Sequence, residues 1–210
     1  IAVTQRLLEA AAKAPLKKFV YASTSSVYGN VPTPMREDGP THPVSPYGVT
    51  KLAAEHLCYL YAYQFGVPTV SLRYFTVYGP RQRPDMAFHR FIRQALAGET
   101  ITIYGAGELK RDFTFVEDVV NANLLAAERG RIGEVYNIGG GAQVSLREVI
   151  AQLEEALGRQ VDADITSEVP HGDMLETLAD VTKAERDLGY VPRTKLRDGL
   201  LAEIEWLRGQ

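Results

Sequence analysis

Residues 45–75 read SPYGVTKLAAEHLCYLYAYQFGVPTVSLRYF, and this stretch decides the fold class. Ser45 suits a helix N-cap and Pro46 the first helical position, where a missing N–H costs nothing. The pattern predicts a helix from there to about Phe65, ended by Gly66 and Pro68. PTVSLRYF (68–75) then reads as a short apolar strand buried in a sheet.

The alternation continues outward in both directions. Residues 1–14 read as a helix with Val3, Leu7, Leu8, Ala11 and Ala14 on one stripe. KKFVYAS (17–23) is a buried strand, followed by a Pro-rich loop over 24–45. Downstream, YGPRQRP (78–84) is loop, MAFHRFIRQALAG (86–98) is a helix closed by Gly98, and ITIYG (101–105) is a strand. Residues 112–130 pass from extended chain into helix, and EVYNIGGG (134–141) is a strand ending in glycines. Ser145 and Glu148 form a capping box opening a helix over 145–157. Helices over 182–188 and 195–208 close the chain. Alternating strands and helices predict an α/β fold with a largely parallel, Rossmann-like sheet.

Composition narrows the classes. The 210 residues are 45% apolar, as in ordinary globular proteins, and the net charge of −3 argues against non-specific nucleic-acid binding. The single cysteine, Cys58, excludes an internal disulfide and a cysteine-based zinc cluster, and suits a reducing, cytoplasmic setting. No apolar run reaches the length of a membrane span, so no membrane partner is expected. His42, His56, His89 and His171 have no ligand spacing, so no metal site is expected.

Tyr47 and Lys51 lie four apart, on one face of the predicted helix. An ammonium near a phenol favours the phenolate, and such a tyrosine can pass a proton to or from a hydroxyl. The spacing alone also occurs by chance in many helices. Its context gives it weight: the preceding strand ends in the hydroxyl cluster STSS (23–26), and open α/β sheets bind ligands at the carboxyl ends of their strands.

YASTSSVYG, SPYGVTK, LRYFTVYGPRQRPDM, IYGAGELKRDFTFVEDVV and YNIGGG, in this order, resemble the extended short-chain dehydrogenase/reductase family, and within it the nucleotide-sugar epimerases and dehydratases. The likeness runs from residue 1 to the C-terminal helix. Members open with a strand, a G-x-x-G-x-x-G turn and a helix that cradle the NAD pyrophosphate. The resemblance therefore implies that about a hundred residues precede Ile1, and that the 210-residue chain alone is inactive. It implies a dinucleotide domain made of 1–76 and 112–138, and a nucleotide-sugar domain made of 77–111 and 139–210. It also implies a homodimer through the Tyr47 helix, with Leu57, Leu60, Tyr61 and Gln64 as seam candidates; ordinary core packing is the alternative for these four.

Carried over by position, Tyr47 resembles the catalytic acid/base, Lys51 the residue that tunes it and binds the nicotinamide ribose, and Thr24 the third catalytic hydroxyl. Ser23, Tyr74 and Phe75 fall on the cofactor side, with NAD as the implied cofactor. Arg111 resembles the arginine that grips the substrate diphosphate, with Arg90 a second candidate and Asp173 nearby. Thr102, Ile103 and Tyr104 would present backbone groups to the uracil.

Thr76 stands where many members carry Asn, and FTVYGP with RPDMA resembles the UDP-glucuronate 4-epimerases. In that subgroup the positions of Thr76, Arg83, Ser25 and Ser26 surround the sugar carboxylate. A buried carboxylate needs charge-assisted donors, which an arginine and three hydroxyls supply. The alternative is that Arg83 is a loop charge paired with Asp85. Dehydratases carry Asp and Glu after the catalytic Thr, and Ser25 and Ser26 cannot serve as acids, so dehydration is disfavoured. In VPHGDM, His171 stands where many relatives carry another residue. The implied activity is NAD-dependent C4 epimerisation of UDP-glucuronate. UDP-glucose epimerisation and a non-catalytic binding relative are the alternatives.

Overall fold

The computed structural model describes residues 1–168 and 172–210, so His171 lies outside the described residues. The elements run α1 (Ala2–Ala11), β1 (Phe19–Thr24), α2 (Pro46–Phe65), β2 (Thr69–Tyr74), β3 (Val77–Tyr78), α3 (Ala87–Ala97), β4 (Ile101–Ile103), β5 (Lys110–Asp112) and β6 (Thr114–Phe115). They continue with α4 (Val116–Arg129), β7 (Val135–Ile138), β8 (Gln143–Ser145), α5 (Leu146–Leu157), β9 (Ala163–Ile165), α6 (Thr182–Leu188) and α7 (Leu196–Arg208).

The central sheet is parallel, in the order β1-β2-β7. Its register aligns Thr24 with Tyr74 and Tyr74 with Ile138, so all three carboxyl ends meet at one edge. Short two-stranded pairs surround it: β3 with β6, β4 with β9, and antiparallel β5 with β8. The chain is thus α/β with parallel strands.

Among the described residues, four apolar clusters form the core. The largest packs Tyr78, Phe88, Phe113 and Phe115 among α3, α5 and α7. A second joins Val70, Leu72, Tyr136 and Ile138 of the sheet to α4 and α6. A third, with Tyr28, Met35, Phe75 and Met174, lies beside the carboxyl ends of the strands. The fourth joins α1 to α2 through Leu8, Ala11, Cys58 and Tyr61.

Helix α2 begins and ends as its sequence predicts. Ser45 accepts a hydrogen bond from the Gly48 amide at 3.1 Å, and Gly66 closes the helix in the left-handed region. The capping box at Ser145 is present. Helix α1 departs from its predicted stripe: Leu8 and Ala11 are buried, while Val3 and Leu7 face solvent. Of the four seam candidates on α2, Tyr61 is buried in the fourth cluster and Leu57 packs against it, leaving Leu60 and Gln64 exposed. Trp206 packs edge-on to His89, anchoring α7 on α3. Among the described residues no helix is long and apolar enough to cross a membrane, and no cluster could hold a metal.

Candidate active site

β1 ends at Thr24, whose hydroxyl accepts from the Ser26 amide at 3.2 Å and caps a 3-10 turn over Ser25–Val27. This turn holds the STSS hydroxyls at the sheet's carboxyl edge. Helix α2 starts directly against it. A β-carbon on Gly48 would lie 2.5 Å from the Ser26 carbonyl oxygen, so only glycine permits this approach. The neighbour of Gly48 in sequence is Tyr47, which is thereby brought beside the hydroxyl cluster.

A cavity of about 640 Å³ opens at this edge. Ser23, Thr24, Ser25, Ser26 and Tyr47 line one side, and Tyr74, Phe75 and Thr76 the floor beyond β2. Loop 79–83, with Arg81, Gln82 and Arg83, lines another side, and Arg111 and Asp173 complete it. A second cavity of about 230 Å³ is lined by Arg90, Thr102 and Tyr104 and shares Thr76, Arg111 and Asp173 with the first. All the residues singled out from the sequence line one of these two spaces except Lys51 and Ile103.

Both exceptions have physical reasons. The Lys51 ammonium donates to the Ala22 carbonyl at 2.5 Å and sits 5.0 Å from the centre of the Tyr21 ring. Burial pulls its pKa down from the ordinary lysine value. Ile103 points into the largest core cluster, and its carbonyl accepts from the Thr166 amide at 2.9 Å. Strand alternation puts Thr102 on the other face.

The two arginines differ. Arg111 is held by the 173–175 segment: it donates to the Asp173 carboxylate at 2.7 Å and to the Leu175 carbonyl at 3.1 Å, with only 11% of its side chain exposed. Arg83 donates to the Asp85 carboxylate at 2.9 Å, and this pair is 73% and 68% exposed. The loop pairing weighed for Arg83 in the sequence is therefore formed. An exposed pair of this kind contributes about 1 kcal/mol or less, so a buried carboxylate offered in the cavity can displace it.

Sequence reasoning missed Arg81, Gln82, Met86 and Met174 on the cavity wall. Gln82 bridges the Val77 carbonyl and the His89 amide, fixing the loop to α3. Arg81 adopts φ 70°, a left-handed conformation with no sequence signal in a non-glycine residue. The R-Q-R spacing around Gln82 was the available hint.

A parallel sheet carrying a Tyr-x-x-x-Lys helix against a hydroxyl-lined cavity at its carboxyl edge defines the short-chain dehydrogenase/reductase class. Within that class the chain belongs to the NAD dependent epimerase/dehydratase family, whose model matches residues 1–139. A Bacillus subtilis protein described as an uncharacterized UDP-glucose epimerase is 46% identical over 99% of this chain and 66% of its own length. The chain thus spans just under two thirds of that relative. The structure of UDP-glucuronic acid 4-epimerase from Bacillus cereus, in complex with UDP-glucuronic acid and NAD, superimposes with a TM-score of 0.95 at 48% identity, covering 100% of this chain and 67% of that one. MoeE5, solved with NAD and either UDP-glucuronic acid or UDP-glucose, gives a TM-score of 0.94 at 47% identity, covering 100% of this chain and 71% of its own.

Proposed function

We propose that the chain is the catalytic and sugar-binding part of an NAD-dependent UDP-sugar 4-epimerase whose substrate is UDP-glucuronate. One observation carries the reading: Thr24 and Tyr47 share a single cavity with Ser25, Ser26, Thr76 and Arg83. The first two suit proton transfer at a sugar hydroxyl, and the other four suit a carboxylate. The names of the similar proteins agree on a UDP-sugar epimerase: the Bacillus cereus structure is named for UDP-glucuronic acid and the Bacillus subtilis relative for UDP-glucose.

The donor set fits the nicotinamide end of NAD. Ser23, Tyr47 and Tyr74 all line the cavity, and Lys51 is bonded to the carbonyl of Ala22, the residue before Ser23 on β1. When bound, NAD supplies the acceptor and then the donor of the C4 hydride. Tyr47 takes the proton of the 4-hydroxyl as the C4–H bond breaks, leaving a 4-keto sugar. After the sugar turns over, Tyr47 returns the proton as hydride is restored on the opposite face, so no net oxidation occurs. Thr24 orients the hydroxyl. Arg111 and Arg90, beside Thr102 and Tyr104, suit the diphosphate and uracil in the smaller cavity.

A 4-keto uronic acid is a β-keto acid and loses carbon dioxide readily. Holding its carboxylate on Arg83 restrains that loss. Arg83→Ala in the full-length protein is expected to raise KM for UDP-glucuronate about tenfold or more, or to release decarboxylated product, with UDP-glucose turnover little changed. Unchanged uronate kinetics and product would contradict the assignment. The Arg83–Asp85 pair favours one second reading, in which Arg83 stays neutralised by Asp85 and UDP-glucose is the substrate.

The domain division at 76/77, 111/112 and 138/139 is part of this proposal. So are a cytoplasmic setting, suited to the buried free thiol of Cys58, and a homodimer through α2. The dimer is supported by the exposed Tyr59, Leu60 and Tyr63 on α2, where the two tyrosine rings stack 2° from parallel, and by the exposed Val3 and Leu7 of α1, the helix packed on α2.

A further inference from the structure

Glu55 follows Tyr47 and Lys51 on the same stripe of α2, at the eighth residue after Tyr47. It is a charged residue inside the sheet–helix interface, only 4% exposed. Its Oε1 accepts from Arg73 Nη2 at 2.6 Å, and its Oε2 accepts from Arg73 Nε at 3.1 Å and from the Ser23 hydroxyl at 2.7 Å. Arg73 lies mid-sheet on β2, equally buried, with its guanidinium 4.7 Å from the centre of the Tyr28 ring. Tyr28 in turn donates to Asn137 of β7 at 2.7 Å. One buried polar chain therefore ties α2 to all three strands of the sheet.

Stability alone does not account for this pair. Two charges taken from water lose most of what their attraction returns, and apolar residues of like volume serve as well. Directional bonds do supply something an apolar contact lacks. Lys51 is bonded to Ala22 and Glu55 to Ser23, consecutive residues of β1. These two rungs fix the rotation of α2 about its axis, and that rotation decides where Tyr47 points.

We propose that the Glu55–Arg73 pair is a positioning device, which sets the rotation of α2 on the sheet and thereby the placement of the Tyr47 phenol relative to Thr24. It also commits the Ser23 proton to Glu55, leaving the Ser23 oxygen as an acceptor at the cavity wall. The kinetic part of this inference rests on the epimerase reading above. A misplacement of about 1 Å at a reacting group costs about a hundredfold in rate.

The test replaces both charges together, Glu55→Leu with Arg73→Met, in the full-length protein, with Glu55→Gln as a variant closer in shape. Melting temperature, kcat and KM for UDP-glucuronate and UDP-glucose, and the crystallographic position of Tyr47 are measured for each. The expected result for the double variant is a melting temperature within about 5 °C of wild type. Its kcat falls about ten- to a hundredfold, its KM changes less than about threefold, and its Tyr47 hydroxyl is displaced by about 1 Å. If either variant folds and retains both the wild-type kcat and the wild-type Tyr47 position, the proposal fails. If neither folds, the pair is a determinant of folding and the proposal fails as well. A wild-type protein that turns over neither sugar overturns the epimerase reading instead, and the Tyr47 displacement still decides the positioning role.

Discussion

Tyr47 and Arg83 face one cavity from two different segments, α2 and loop 79–83. Tyr47 is 55% exposed, free to meet a ligand, and its helix is pinned by Lys51 and Glu55 below. Tyr47→Phe keeps the ring and removes the proton carrier, so kcat is expected to fall about 10²- to 10⁴-fold with KM nearly unchanged. A steady-state assay of C4 inversion checks this, and a fall confined to KM would assign Tyr47 to binding. The residue scale is also where the sequence was most legible. Tyr47 stood out by its spacing to Lys51, Thr24 and the Ser25, Ser26, Thr76 and Arg83 set through the family resemblance, and one cavity gathers all but Lys51. Lys51 was legible as a partner of Tyr47, but its bond to Ala22 was not, because a spacing of four does not say which carbonyl a long side chain will reach.

At the scale of elements, the helices and the strands at 19–24, 69–74, 101–103 and 135–138 were legible, and the other short strands were not. The cap at Ser45 and the left-handed stop at Gly66 predicted α2 end to end. Strands β3, β5, β6, β8 and β9 are only two or three residues long, too short to carry a period of two. Their pairing is decided by neighbours remote in sequence, as when Val77 pairs with Thr114. The join between loop 79–83 and α7 was equally hidden. Glu203 is wholly buried and accepts from the Gly79 amide at 2.9 Å. Burial pushes its carboxyl up to about 7. Asp112, buried among the amides of Ala179 and Gly140, is likewise pushed by burial up to about 6. Both values lie above the unfolded ones, near 4, so the folded protein retains protons that the unfolded chain has released. The stability these groups contribute is fully present below the unfolded pKa. It declines as pH rises through about 6 for Asp112 and about 7 for Glu203. Glu203→Gln does not titrate. Its unfolding free energy is therefore expected to fall less steeply than wild type between about pH 5 and about pH 8, by about 2 kcal/mol over that window. Urea denaturation at a series of pH values measures the slope, and identical slopes would remove Glu203 from the account.

On the scale of the whole molecule, the parallel order β1-β2-β7 brings three strand ends to one edge, and Val77 and Tyr78 of β3 and Arg111 of β5 line the cavity with residues from that edge. The exposed aromatic face of α2 lies apart from the residues that line that cavity. If this face is the dimer seam, Tyr63→Glu should weaken self-association at least tenfold in sedimentation equilibrium while leaving the fold intact. Equal association of variant and wild type would place the seam elsewhere. The proposed activity is inversion of C4 of a UDP-uronate in this cavity. The full-length protein, given NAD and UDP-glucuronate or UDP-glucose in separate reactions and followed by proton NMR, tests it most directly. Conversion of UDP-glucuronate to UDP-galacturonate is expected at a kcat/KM at least about tenfold above that for UDP-glucose, and turnover of UDP-glucose alone overturns the uronate assignment.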